Sequence, residues 1–355
     1  MIAKTYILLP FKIWTIAGQT LSPILYHDGE TKITVHPPAR AQVDLTSGMS
    51  PSMWNRMIQR IYPAQDQSPL DGITHGSGKV IECDLLTIDF VRASFDRRLL
   101  GREELDPTQE QIFREANRFM AICRLITQAS FPLLSVESSP WCINYLDDSQ
   151  QELAKDPQLA RGFCSSSFSI TGPIVDIARW SVIGANIAVE PHHWESLLIQ
   201  AGWYLPDIGP AIVAVQGALE SFIDWALKQL AAKSTIPNEL WAWMNDRDGK
   251  FHQQPSLAER FDVLLKATAG KSLKDDPALW QEFMNLKKIR NAIAHGDRAM
   301  LGGKPVSPMD VRKLISKAQE IVRWVEQLLP EKARRFSLLK PSQFGLQIGG
   351  VTPLP

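Results

Sequence analysis

The stretch LWQEFMNLKKIRNAIAHGDR, Leu279 to Arg298, constrains this chain more than any other. Leu279, Phe283, Leu286, Ile289 and Ile293 recur every three or four positions, the spacing of one stripe of an α-helix. Such a stripe needs other apolar faces to receive it, so neighbouring segments must supply them. At about 100° per residue, Asn291 and His295 fall opposite the stripe with Lys288 beside them. Arg290 sits at the stripe's edge, where its stem can lie on apolar surface while the guanidinium reaches outward. A core-forming helix with a basic, amide and imidazole group on its wet side calls for a reason.

The segments after His192 supply the receiving faces. His192–Trp203 reads as a connecting helix. Asp207–Ala232 reads as a long one, with Ile212, Val215, Leu219, Phe222, Ala226 and Leu230 inside and Glu220, Asp224 and Lys228 in a polar row. Glu239–Asp246 is a short Trp-rich helix. Ser256 to Glu259 is a capping box opening a helix to about Thr268. Asp276-Pro277 caps the motif helix, and Ser307-Pro308 opens a last helix carrying Val311, Leu314, Ala318, Val322 and Val325. Short polar turns join these elements, which predicts an all-α antiparallel helical bundle over 205–330. The 331–355 tail is punctuated by Gly and Pro and reads as extended.

Residues 1–191 read as an α+β domain by alternation of element types. Strands are expected at 5–14, Lys32–Val35, 79–95 (one long strand or a bent pair), 132–146, 162–171 and 180–190. A short helix is expected from Ser50-Pro51, carrying Met53, Trp54, Met57, Ile58 and Ile61 on one face. A longer helix follows the Asp106-Pro107 cap, and a short polar one lies near 149–156. The domain shows no phosphate-cradling glycine loop and no internal repeat, so it suggests no ligand of its own. His192-His193 reads as a surface pair at a helix start, since no third metal ligand follows at a suitable spacing.

The formal charge of zero conceals an imbalance. Residues 1–204 hold 17 basic against 22 acidic side chains, and residues 205–355 hold 21 against 16. Residues 287–323 carry nine Lys and Arg against three acids, a local +6 of the kind polyanions prefer. Cys83, Cys123, Cys142 and Cys164 have no CxxC spacing, which predicts free thiols and no zinc site. The apolar N-terminus lacks a small-residue cleavage site, and no run reaches the ~20 residues of a membrane span. A cytoplasmic location is expected, with no cofactor and no metal.

Arg290-Asn291-Ala292-Ile293-Ala294-His295 resembles the R-N-x-x-x-H signature of the HEPN superfamily, helical domains many of which are RNases. The Gly after the His, the motif's place on the penultimate long helix, and Glu220 in ALESFIDWAL on the first long helix extend the resemblance over 205–330. It implies a metal-independent endoribonuclease with Arg290, Asn291 and His295 as catalytic residues and an acid at Glu220; beside it, Glu220 or Asp224 is the candidate to hold Arg290 or a ring nitrogen of His295. It further implies a homodimer that joins two motif helices across one cleft. By resemblance to toxin and phage-defence members, the N-terminal domain would sense or restrain, and an antitoxin or regulatory partner is expected.

The chemistry of these side chains suits that expectation. RNA cleavage without metal needs a base for the ribose 2′-OH, a cation for charge on the phosphorane, and a proton for the leaving 5′-oxygen. Histidine, with an ordinary pKa of about 6.5, transfers protons near neutrality. Arginine grips phosphate with a two-pronged fork. Asn291, one turn before His295, can orient the imidazole or the phosphate. Lys287, Lys288 and Arg298 are the expected RNA-binding residues. The alternative is a non-catalytic HEPN-like module that binds RNA or protein, with His295 and Gly296 serving as a helix terminus.

Overall fold

In a computed structural model, the structure describes residues 1–45, 58–70, 73–75, 78–93, 106–127, 129, 131–136, 139–147, 149, 151–156, 173–245, 254–335 and 347–348. The chain divides into two compact units, one of residues 1–190 with 341–355 and one of residues 191–340.

The first unit is built around one long strand, β1 (Ile2–Ile16). It pairs antiparallel with β7 (Gly78–Val91) on one side and β8 (Trp141–Leu146) on the other, and parallel with a short strand at Ile174–Val175. A hairpin of β2 (Ile24–Asp28) and β3 (Thr31–Val35) joins β7 through β3. A separate hairpin, β4 (Ala41–Leu45) with β5 (Ile58–Pro63), brings Ala41 and Val43 against Leu8, Leu85 and Cys142. On the opposite face of the sheet lies α1 (Gln109–Thr127), where Tyr26 of β2 donates to Glu115 at 3.0 Å and Phe113 meets Trp141 edge-on. One face of the sheet thus lies under a helix, and among the described residues a hairpin packs on the other.

Several expectations for this unit are corrected. The segment near 149–156 is not a helix: β9 (Glu152–Asp156) pairs with β8. The Asp147 carboxylate accepts from the backbone of Ser149 and Gln151, both at 2.8 Å, and so closes the turn between them. The 180–190 stretch is not a strand but falls largely in α2 (Ile177–Asn186). Asp176 caps that helix by accepting from the Arg179 N–H, and the buried Trp180, Ile183 and Ile187 recur at helical spacing. Ile58 and Ile61 belong to strand β5 rather than a helix; Ser50 to Met57 lie outside the described residues, as do 162–171. Among the described residues of 132–146, only Trp141–Leu146 is strand. The cap of α1 is Thr108, not Asp106: Thr108 and Gln111 exchange side-chain-to-backbone bonds at 3.2 and 3.0 Å.

The second unit is helix-rich. It contains α3 (His193–Trp203), α4 (Ile208–Ala231), α5 (Asn238–Asn245), α6 (Leu257–Glu259), α7 (Leu265–Ala269), α8 (Pro277–Ala294) and α9 (Pro308–Glu326). A π-helical turn, Arg260–Leu264, joins α6 to α7. The central helix α4 packs against α3, α7, α8 and α9, and α3 also meets α9. The expected connecting helix is therefore part of this unit's packing. A two-stranded ladder, Met300–Leu301 with Lys304–Pro305, sits between α8 and α9, so the region is not purely helical.

The stripe of α8 goes inside as its spacing predicts. Leu279, Phe283, Leu286 and Ile289 are buried, and Ile293 is half-buried. Phe283 stands against Phe261 and Trp280, with ring centroids at 5.1 and 5.3 Å. Each such side chain contributes about 2 kcal/mol by leaving water. Asp276 accepts from the Leu279 N–H at 3.0 Å with Pro277 at the first position, so the helix starts where the sequence signals it. Of the described tail residues, Glu331–Ala333 forms a 3₁₀ turn and Gln347–Ile348 pairs with β6 (Ile73–His75) of the first unit.

Among the described residues, no helix is long and apolar enough to cross a membrane. Cys83, Cys123 and Cys142 are free and buried, and Cys164 lies outside the described residues.

Candidate functional site at the end of the motif helix

The carboxyl end of α8 is closed by its own backbone. The Asp297 N–H donates to the Ala292 carbonyl at 2.8 Å and the Gly296 N–H to the Ile293 carbonyl at 3.1 Å. This double bond pattern is the Schellman motif, and Gly296 takes the left-handed conformation it demands, with φ of 76°. His295 is the last residue before that reversal, and its side chain is exposed. Asn291, one turn earlier on the same face, is exposed as well. The Arg290 guanidinium donates to the Asn291 side-chain oxygen at 3.5 Å, a long bond between exposed groups. The three motif side chains therefore lie on the solvent side of the helix end, with Arg290 half-buried as its position at the stripe's edge requires.

The two expected supporting acids are committed elsewhere. Asp224 forms an ion pair with Arg260, the first residue of the π-helical turn. Glu220 accepts from the side-chain amide of Gln216 at 3.0 Å, one turn back on α4. Among the described residues, no hydrogen bond or ion pair links either acid to Arg290 or His295. Arg260 escaped the sequence reading because nothing local distinguishes it; only the π-turn and the packing of α4 against it bring it to Asp224.

Around the motif, the acids of the basic zone are largely taken. Ser307 caps α9 and Asp310 closes the box: its carboxylate accepts from the Ser307 hydroxyl at 2.7 Å and N–H at 2.9 Å, which hold its pKa below the ordinary carboxylate range. Glu320 pairs with Lys317 at 2.7 Å, and Glu282 of α8 takes Lys313 at 3.2 Å. Among the described residues, Lys287, Lys288, Arg298, Lys304 and Arg312 make no ion pair, and all but the half-buried Lys287 are exposed. Cations free of carboxylate partners are what a polyanion can engage at least cost.

A second constellation, not anticipated from sequence, lies where α3 and α9 meet the turn after α9. Glu195 and Glu326 are each 1 % exposed. The Arg335 guanidinium pairs with Glu195 at 3.1 Å while its backbone N–H donates to Glu326 at 3.3 Å. Burial raises both carboxyls, Glu326 to about 7. Glu195 also accepts from the His192 N–H at 2.6 Å, closing the start of α3. His192 is consequently no surface residue: its half-buried ring lies 4.9 Å from that of Trp225, and burial followed by Arg335 lowers its pKa. His193 is exposed. Among the described residues, no group of three or more His, Cys, Asp or Glu is arranged to hold a metal ion.

Comparison with protein-family models, with curated proteins and with solved structures returned no match to this chain.

Proposed function

We propose that the chain is a metal-independent endoribonuclease of HEPN-like architecture, its second unit an antiparallel helical bundle and its site at the end of α8. The observation that carries this reading is the exposure of Asn291 and His295 on one helix face with the Arg290 guanidinium bonded to Asn291. In this mechanism His295 takes the proton of the ribose 2′-OH. The oxygen then attacks the adjacent phosphorus, and the 5′-oxygen leaves with a proton. Arg290 neutralises the phosphorane oxygens, and Asn291 holds the guanidinium or the phosphate in place. The products are a 2′,3′-cyclic phosphate and a 5′-OH end.

One histidine serves poorly as both base and acid, so the reading includes a homodimer that brings two His295 and two Arg290 to one cleft. The N-terminal unit acts as sensor or restraint, and the biological role is that of a toxin or phage-defence effector held in check by an antitoxin or other partner.

The test is cleavage of RNA by the full chain in chelator, with 2′,3′-cyclic ends as the readout. Activity is expected to fall at least 100-fold in His295→Ala and in Arg290→Ala, and a 2′-deoxy substrate is expected to stay intact. A double variant that cleaves as well as the parent overturns the proposal.

A second reading has its own support. The Schellman closure accounts for Gly296 and for the helix-end place of His295 without catalysis, and Arg290 bonds Asn291 rather than the imidazole. A non-catalytic RNA- or protein-binding module would bind RNA in a saturable, salt-dependent way and release no cyclic phosphate at any protein concentration.

A further inference from the structure

The sheet of the first unit carries a polar cluster that its folding does not explain. Residues directly opposite across antiparallel strands share a face. The register pairs Lys4 of β1 with Asp89 of β7 and with Asn144 of β8, and pairs Asp89 with Thr34 of β3. Tyr6 follows two residues after Lys4 on the same face, and His36 follows two after Thr34. Among the described residues, the hairpin of β4 and β5 packs on this face at Tyr6, Leu8, Leu85 and Cys142. On the same face, Lys4, Tyr6, Thr34, His36 and Asn144 are all half-buried.

Asp89 lies at the centre and is 8 % exposed. Its Oδ2 binds the His36 Nε2 at 2.8 Å and attracts the Lys4 ammonium at 3.7 Å. Its Oδ1 is buried and, among the described residues, has no hydrogen-bond partner. A cross-strand ion pair accounts for the first oxygen and leaves the second without a donor, which costs stability unless a further group supplies one. The Tyr6 hydroxyl feels the same group: burial, then Asp89, pushes its pKa up to about 12.

We propose that this cluster is a binding site for a small molecule that presents a hydroxyl or amino donor next to a carboxylate. The ligand's donor meets Asp89 Oδ1, and its carboxylate meets the Lys4 ammonium and the donors of Tyr6 and Asn144. The histidine holds the carboxylate of Asp89 in place through Nε2 and presents its other ring nitrogen outward. Both α-amino and α-hydroxy acids carry this chemistry. The site does not depend on the nuclease reading, since it uses no residue of the second unit.

Titration calorimetry of the full chain tests it, with L-serine and L-lactate as probes and propionate, which lacks the donor, as the control. Saturable binding is expected for at least one of the two probes, at least tenfold tighter than for propionate. Binding by serine alone identifies the amino acid as the source, and binding by lactate alone the hydroxy acid. In Asp89→Asn that advantage is expected to disappear, and in Lys4→Met all carboxylates weaken at least tenfold. The comparison with propionate on the unaltered protein needs no variant to fold. Absence of saturable binding by both probes, or equal binding of propionate, overturns the proposal.

Discussion

Asp224 on α4 holds Arg260 on the π-helical turn, and so is not free to hold the motif arginine that its place on the first long helix suggested. The Arg260 side chain is only 14 % exposed, and it also donates to the Pro255 carbonyl at 3.0 Å. Asp224→Ala is therefore expected to lower stability by about 1–3 kcal/mol, because it strands a largely buried guanidinium. RNA cleavage per folded molecule is expected to stay within a few-fold of the parent. Denaturant midpoints and cleavage rates measured together check this; lost cleavage with an unmoved midpoint would place Asp224 in the site after all.

Gly296 separates the two roles of the motif's end. A Cβ there would meet no atom within 4 Å, so only the backbone resists substitution. With φ of 76°, Gly296→Ala is expected to cost about 1 kcal/mol and Gly296→Asn less, since asparagine tolerates the left-handed region. His295→Ala, by contrast, removes an exposed side chain and is expected to shift stability by less than about 0.5 kcal/mol. Thermal unfolding of the three variants gives the ranking.

The cluster of Glu195, Glu326 and Arg335 predicts a pH dependence. The folded-state pKa of Glu326, about 7, stands above the ordinary glutamate value. The folded protein therefore keeps this proton after the unfolded chain has lost it. The resulting stability is fully present below about pH 4.5 and is lost as pH rises through about 7. Glu195, raised in the same direction, adds to the slope. Glu326→Gln keeps an acceptor for the Arg335 N–H, flattens the dependence, and is expected to gain on the order of 1 kcal/mol at pH 8. Urea midpoints between pH 5 and 8 measure it; a variant as steep as the parent would assign the slope to other groups.

The unpaired cations near α8 predict a salt effect. Where Lys288 and Arg298 each contact one phosphate, replacing either by Ala lowers the slope of log affinity against log salt for single-stranded RNA by about 0.7. Lys313, already held by Glu282 at 3.2 Å, is expected to change it less. Binding isotherms at four salt concentrations with a catalytically silent His295→Ala chain supply the slopes.

The helical half was legible because its signals are local. Asp276 with Pro277, Ser307 with Asp310 and Ser256 with Glu259 cap helices within three residues of themselves, and the structure starts helices at each. The stripe from Leu279 to Ile289 needs only helical periodicity to be read. The strand-rich half was less legible, since an apolar run such as WSVIGANIAVE suits either state until its partners are known. There the Asp176 cap and the burial of Trp180, Ile183 and Ile187 decided for helix.

For the site, sequence alone set the exposed face of α8, because Asn291 and His295 are one turn apart and Gly296 must end the helix. It could not say which acid meets which base. Asp224 and Arg260 are 36 residues apart, and His36 and Asp89 are 53 apart. Such pairs arise from strand register and helix packing, which depend on every apolar contact in the unit at once. The spacing of residues along a helix is a property of the chain; the partner of a buried charge is a property of the fold.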